Sequence, residues 1–287
     1  MPPEKPAYDR RITPIRDDLA AEHLRGILDA PRYVPAQNYR IGVAAIPLRK
    51  GPDAALPYET ELLFGEMIDI YEIAEGWAWG QATRDGYCGY LPASALAEPL
   101  HPTHRVSAIR SFLYPAASIK ATPLGFLPFG AEVTVEAMDG KFAKTRNGYL
   151  FTNHLAQLDE KAEDPVAVAE RFLGIPYLWG GKSSLGIDCS GLVQTACHAC
   201  GIPAPRDSDM QEKALGEAIA IPNDPGHFRR GDLLFWPGHV ALAQGNGRML
   251  HATAYSMSVI SEEIGPALER IAGAGHPLRT ARRLTKP

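Results

Sequence analysis

The feature that most restricts how this chain can fold is an internal repeat between residues 62 and 155. "LLFGEMIDIYEIAEGWAWGQATRDGYCGYLPASAL" ends at Leu96, and "LPFGAEVTVEAMDGKFAKTRNGYLFTNHL" ends at Leu155. Phe64-Gly65 matches Phe129-Gly130, and Gly89-Tyr90-Leu91 matches Gly148-Tyr149-Leu150. From the first anchor to the second is 25 residues in one copy and 19 in the other. Alternation in Met67–Tyr71 and in Glu132–Val135 has the period of a half-buried strand, and Asp85-Gly86 and Asn147-Gly148 are tight-turn pairs. Two copies of about sixty residues, each with roughly five short strands, predict two small β-barrels.

The pattern differs on either side of the repeat. Residues 1–34 are Pro-rich at the start, then place Leu19, His23, Leu24 and Leu28 on one face of a short helix over Asp17–Leu28. This stretch reads as an arm or strap. After Lys161, Asp164-Pro165 forms a cap and first-turn pair opening a helix from Val166 to Leu173. "RRGDLLFWPGHVALAQGNGRMLHATA" then predicts strands over Leu233–Trp236, His239–Gln244 and Met249–Ala254, with Gly245-Asn246-Gly247 as a turn. Helices followed by an antiparallel sheet make an α+β domain.

Composition removes several function classes. A net charge of −4 and a sequence pI near 6.1 give no basic footprint for nucleic acid or an anionic membrane. No run of 18 apolar residues exists to cross a bilayer. The first residues lack the charged-then-apolar pattern of a secretory signal, so a cytoplasmic location is expected. Four cysteines in 287 residues do not describe a disulfide framework. Cys197-x-x-Cys200 lacks a second ligand pair, so no metal is expected and buried helix thiols are the simpler reading.

The chemistry concentrates in "GIDCSGLVQTACHACG", residues 186–201. It is turn-like before Cys189 and helical after it, with Gly201 and Pro203 as the stop. A thiol there meets unpaired N–H groups and the positive end of the helix dipole, which favour the thiolate. A cysteine nucleophile also needs a base, and the base needs an orienting partner. A hairpin centred on Gly245 would set His239 and His251 directly opposite each other, about 5 Å apart. One would then be the base and the other its orienter.

These residues resemble the NlpC/P60 family of cysteine peptidases. "DCSGLV", then "GHVAL" beginning at His239's glycine, then "MLHA" ending beyond His251 occur in order, with "YLWGG" upstream and "PRDSDMQ" between. The repeat resembles bacterial SH3-like domains. The fold implied is α+β: a permuted papain-like catalytic domain over residues 160–287, preceded by an arm at 1–34 and SH3-like barrels at 35–98 and 99–158. The family resemblance implies Cys189 as nucleophile, His239 as general base and His251 as the orienting third residue. It also places Tyr177 beside the nucleophile as an oxyanion or substrate donor. Two preceding SH3-like domains resemble the branch of γ-D-glutamyl-L-diamino acid endopeptidases. That branch implies a free murein peptide as substrate, L-Ala-γ-D-Glu followed by meso-diaminopimelate or L-Lys, and no cofactor.

The same branch implies that Asp207 and Ser208 receive the peptide's free ammonium. It implies further contacts from Tyr87 and from either Glu59 or Glu61, between which the loop does not choose. Plainer readings stand beside these. Asp207 would serve as a helix cap, and Tyr87 would pack near Trp77. Trp179 lines or underlies the cleft, Asp188 caps the cysteine helix, and His198 is solvated. Two other functions fit the pattern: a Cys-His acyltransferase or amidase on another substrate, and a non-catalytic module that binds wall peptides.

Overall fold

Gly65 and Gly130, the matched glycines of the repeat, both hold left-handed backbone, with φ of +85° and +84°. Any residue with a Cβ would cost roughly 1–2 kcal/mol there, so both copies turn at the same point. The phenylalanines before them, Phe64 and Phe129, are both buried. The correspondence continues through the fold. Tyr90 bridges to Arg49 and Tyr149 to Tyr114 in the same way, and the strands that carry them run into 3-10 turns at Ala93–Ala95 and Thr152–His154.

These observations come from a computed structural model that describes residues 8–284. The described residues fall into two compact units that divide between residues 155 and 156. In the first unit, a five-stranded sheet runs in the order Cys88–Pro92, Trp77–Ala82, Met67–Ala74, Gln37–Ile41, Leu96–Ala97. With the hairpin Ala45–Leu48/Thr60–Leu63 it encloses Ile41, Leu48, Leu62, Ile68, Ile70 and Leu91. The second copy pairs Val135–Asp139, Phe142–Thr145 and Gly148–Phe151, with a hairpin Arg110–Leu113/Gly125–Pro128. Its core of Val106, Leu127, Ala131, Val133 and Leu150 also takes in Phe64 from the first copy.

The helix expected over Asp17–Leu28 does not form. Ala20–Ala21 pairs in parallel with Tyr33–Val34, and only Glu22–Leu24 makes a 3-10 turn. Leu19, Leu24 and Leu28 instead pack against Tyr71 and Trp79 of the barrel. Arg16 lies 4.9 Å over the Trp79 ring and bonds to Glu72 and Tyr90. A helix this short has little stability of its own, and packing on the barrel outweighs its periodicity.

The second unit is built on a six-stranded sheet. Its order is Glu217–Ile219, Thr280–Arg283, Asp232–Trp236, His239–Gly245, Arg248–Thr253, Ser258–Glu263. Among the described residues four helices accompany it: α1 (Pro165–Glu170), α2 (Cys189–Ala199), α3 (Ser208–Ala214) and α4 (Ile264–Gly273). Asp164 caps α1 through the Val166 N–H at 2.9 Å, but α1 ends at Glu170, short of Leu173, as the chain turns into Gly174 at φ +79°. Ile264 and Ala267 of α4 pack on Leu234, Trp236, Ala241, Ala243 and Met249. Alternate residues Val240, Leu242 and Leu250 point the other way and are buried as well. Both faces of the sheet are therefore covered.

Candidate active site

Cys189 is the first residue of α2 because Asp188 caps it. The Asp188 carboxylate accepts from Gly191 N–H at 2.7 Å and from Gly180 N–H at 2.8 Å, joining the helix to the loop before it. A Cβ on Gly191 would stand 2.3 Å from the Gly181 carbonyl oxygen, so the glycine of "DCSG" permits that approach. Arg206, only 1% exposed, donates to both Asp188 oxygens at 3.0 and 2.6 Å and to Ser190 Oγ at 2.8 Å. A buried ion pair thus fixes the helix start from below.

The sulfur itself is buried. Burial pushes the Cys189 thiol up to about 12 and Asp188 adds to the rise, against backbone N–H bonds from Val240 and Ser190 and the charge of Arg206. Burial therefore opposes the helix terminus, which favours the thiolate, and shifts the balance toward the thiol. Desolvation dominates because the sulfur sits inside the fold, whereas the helix dipole supplies only about half a charge. Val240 adjoins His239, so the start of that strand and the start of α2 meet at the sulfur.

His239 begins its strand because Pro237-Gly238 makes a two-residue turn, with Trp236 paired to His239 and Gly238 at φ +74°. Its Nε2 lies 2.8 Å from His251 Nδ1. The register that achieves this is not the one expected. Leu242 pairs with Leu250 and Ala243 with Met249, then a bulge precedes Gly245↔Arg248. Continuing that register sets Thr253, not His251, opposite His239. The two imidazoles meet diagonally instead, at a ring separation of 5.0 Å. A two-residue offset keeps both side chains on one face, whereas a one-residue slip would have parted them.

A further member of the array has no signal in the sequence. His251 Nε2 lies 2.8 Å from Glu262 Oε1, and Arg270 of α4 holds both Glu262 oxygens at 2.7 Å. The His251 and Arg270 bonds keep the Glu262 carboxyl down at about 2. An ionised carboxylate only accepts, so His251 carries its proton on Nε2 and presents a lone pair at Nδ1. His239 must then donate from Nε2, which leaves its Nδ1 as the nitrogen that can take up a proton. Desolvation, with His251 adding to it, lowers His239 to about 3, while the Glu262 charge pulls the other way. Trp236, its ring 5.5 Å away, supplies part of that apolar wall.

Other expected residues fall into distinct places. Tyr177 is half-buried near Cys189 and Asp188, and burial raises its phenol well above the ordinary value, so it is a hydrogen-bond donor. Asp207 stands at the N-cap position of α3, yet its carboxylate does not accept from that helix's N–H groups. Ser208 begins the same helix. Trp179 is 64% exposed and so does not underlie a cleft. His198 is not solvated: its Nε2 lies 3.1 Å from the Ala204 carbonyl oxygen. In the first unit, Glu59 and Tyr87 line one groove of about 780 Å³ together with Trp77 and Trp79. Glu61 is buried in the strand Thr60–Leu63 and does not line it. Cys197 and Cys200 are buried. Among the described residues no cluster of His, Cys, Asp and Glu is placed to hold a metal ion.

A cysteine at a helix start and an imidazole pair on adjoining strands define a Cys-His hydrolase of papain-like architecture. The comparisons with known proteins agree. The NlpC/P60 family model matches residues 174–268, and the bacterial dipeptidyl-peptidase SH3 domain model matches residues 48–96. The chain is 32% identical to the gamma-D-glutamyl-L-lysine dipeptidyl-peptidase of Bacillus subtilis over 70% of its own length and 74% of the relative's. It is 29% identical to dipeptidyl-peptidase 6 of Lysinibacillus sphaericus over 70% and 82%. The crystal structure of an NlpC/P60 family protein from Bacillus cereus superposes with a TM-score of 0.73 at 23% identity, covering 88% of this chain and all of that one. The chain belongs to the NlpC/P60 family and is a cysteine peptidase related to the gamma-D-glutamyl-L-lysine dipeptidyl-peptidases.

Proposed function

We propose that the enzyme cleaves the γ-D-glutamyl–L-diamino acid bond of free murein peptides that begin with L-Ala, as a cytoplasmic recycling step. The observation that carries the chemistry is the ordered proton path from Glu262 through His251 to His239, ending at the strand start that touches Cys189. The substrate class rests on similarity, over 70% of this chain and 74% of the relative, to a protein named for the γ-D-glutamyl-L-lysine bond.

In this reading the sulfur attacks the γ-carbonyl carbon as its proton passes to Nδ1 of neutral His239. The developing oxyanion is met by the Cys189 N–H, which a first-turn position leaves without an intrahelical acceptor, and by the Tyr177 hydroxyl. The C–N bond breaks as His239 returns that proton to the departing amine. Water then attacks the thioester with His239 as base, releasing the dipeptide and restoring the thiol. The imidazolium formed in between is favoured by the Glu262 charge behind His251, which acts against burial. Asp207 and Ser208 are the residues proposed for the substrate's ammonium, with Glu59 and Tyr87 as the first barrel's contribution to substrate binding. No metal or organic cofactor takes part in these steps.

Mass spectrometry of digests tests this reading. The protein should release L-Ala-γ-D-Glu from L-Ala-γ-D-Glu-L-Lys or its meso-diaminopimelate counterpart, and leave N-acetylated peptide and intact wall uncut. Equal cleavage of the acetylated peptide would remove the free-ammonium requirement. Absence of cleavage in both would remove the substrate assignment.

A further inference from the structure

The junction of the two barrels holds an arginine whose charge is neutralised by no acid among the described residues. Arg40 lies in the strand Gln37–Ile41 and is 7% exposed. Its guanidinium stacks 5.3 Å over the Phe64 ring, Nε has no hydrogen-bond partner among the described residues, and Nη1 reaches only the Ile41 carbonyl at 3.4 Å. Burying a charge without a counter-charge costs several kcal/mol, and elsewhere this fold meets that cost directly. Arg206, which is also buried, has the Asp188 carboxylate.

A second cation aggravates the imbalance. Arg146 stands near enough for its charge to repel that of Arg40, and this repulsion, after burial, holds the Arg40 pKa below the ordinary value. Both arginines line a cavity of about 120 Å³, with Phe64, Thr134 and Asn147. Two acids also line it. The Glu132 carboxylate is taken by Arg84, and Glu136 is exposed and ion-pairs with neither arginine. The volume is well above the ~10–15 Å³ that admits one water, and too small for a peptide. Guanidinium forks match carboxylate and phosphate oxygens.

We propose that this junction binds a small anion, a carboxylate or phosphate group, through Arg40 and Arg146. The site lies wholly within residues 40–147 and includes none of the side chains assigned to peptide cleavage. It is therefore independent of the peptidase reading. Binding would tie the two repeat copies together at their shared edge, where Glu132 N–H already bonds the Phe64 carbonyl.

Thermal unfolding of the full chain tests the proposal. Sodium acetate or sodium phosphate is added at constant ionic strength, with chloride as reference. One of the two anions should raise the midpoint saturably, by roughly 5 °C near a hundredfold excess over Kd, and which one acts identifies the source. Arg146→Gln, a change at an exposed position, should remove the rise. Arg40→Met should remove it too, and in chloride should melt no lower than the parent, because an uncompensated charge has been replaced by an apolar side chain. No anion-specific rise in the parent, or an unchanged rise in Arg146→Gln, overturns the proposal.

Discussion

His251 Nε2 and Glu262 Oε1 stand 2.8 Å apart, and this single contact decides which nitrogen of His239 can take up a proton. Replacing Glu262 by Leu leaves the His251 Nε2–H buried without an acceptor and favours the Nδ1–H tautomer. The wrong proton then faces His239. We expect kcat to fall about 100-fold with KM little changed, and the ring-nitrogen shifts of 15N-histidine to report the exchanged tautomer. Glu262→Gln keeps an acceptor oxygen and should lose less. An unaltered kcat and spectrum in Glu262→Leu would show the carboxylate to be structural only.

The neutral thiol and neutral imidazole make a clear pH prediction. With His239 lowered to about 3 and Cys189 raised to about 12, both groups keep one charge state between those values in the free enzyme. The kcat/KM profile should therefore be flat across pH 5–8. Alkylation of Cys189 by iodoacetamide should climb about tenfold per pH unit through neutrality. A plateau in alkylation from pH 5 to 8 would reveal a preformed thiolate–imidazolium pair and refute this assignment.

Arg206 and Asp188 form a buried pair at 2.6 Å under the nucleophile. Arg206→Met strands the carboxylate, and we expect a loss of about 3–5 kcal/mol in denaturant unfolding. Activity should fall in parallel, since Asp188 sets the start of α2.

The repeat glycines offer a paired test. Gly65→Ala would bring a Cβ to 2.1 Å from the Glu132 carbonyl oxygen, whereas at Gly130 the nearest atom is 3.5 Å away. Both incur the left-handed cost of roughly 1–2 kcal/mol; only Gly65→Ala adds a backbone clash. The midpoint of thermal unfolding should drop further for Gly65→Ala than for Gly130→Ala.

Glu59 shares its groove with Tyr87 and Glu61 does not. Glu59→Gln should raise KM for peptides with a free ammonium and leave kcat nearly unchanged. A KM equal to the parent's would remove Glu59 from substrate binding.

The sequence alone determined what is local. Turn glycines, the Asp164 and Asp188 caps, the strand periods and the even spacing of His239 and His251 each act over a few residues, so their signals survive in one dimension. The α+β assignment and the SH3-like repeat followed from these. Tertiary structure decided whatever depends on a distant partner. It laid the arm on Tyr71 and Trp79 rather than in a helix, shifted the hairpin register by two residues, and brought Glu262 and Arg270 behind His251 from another strand and helix. It also set burial of the Cys189 sulfur against the thiolate that the helix start favours. Desolvation is a sum over everything that surrounds a group, and no stretch of sequence states what will surround it.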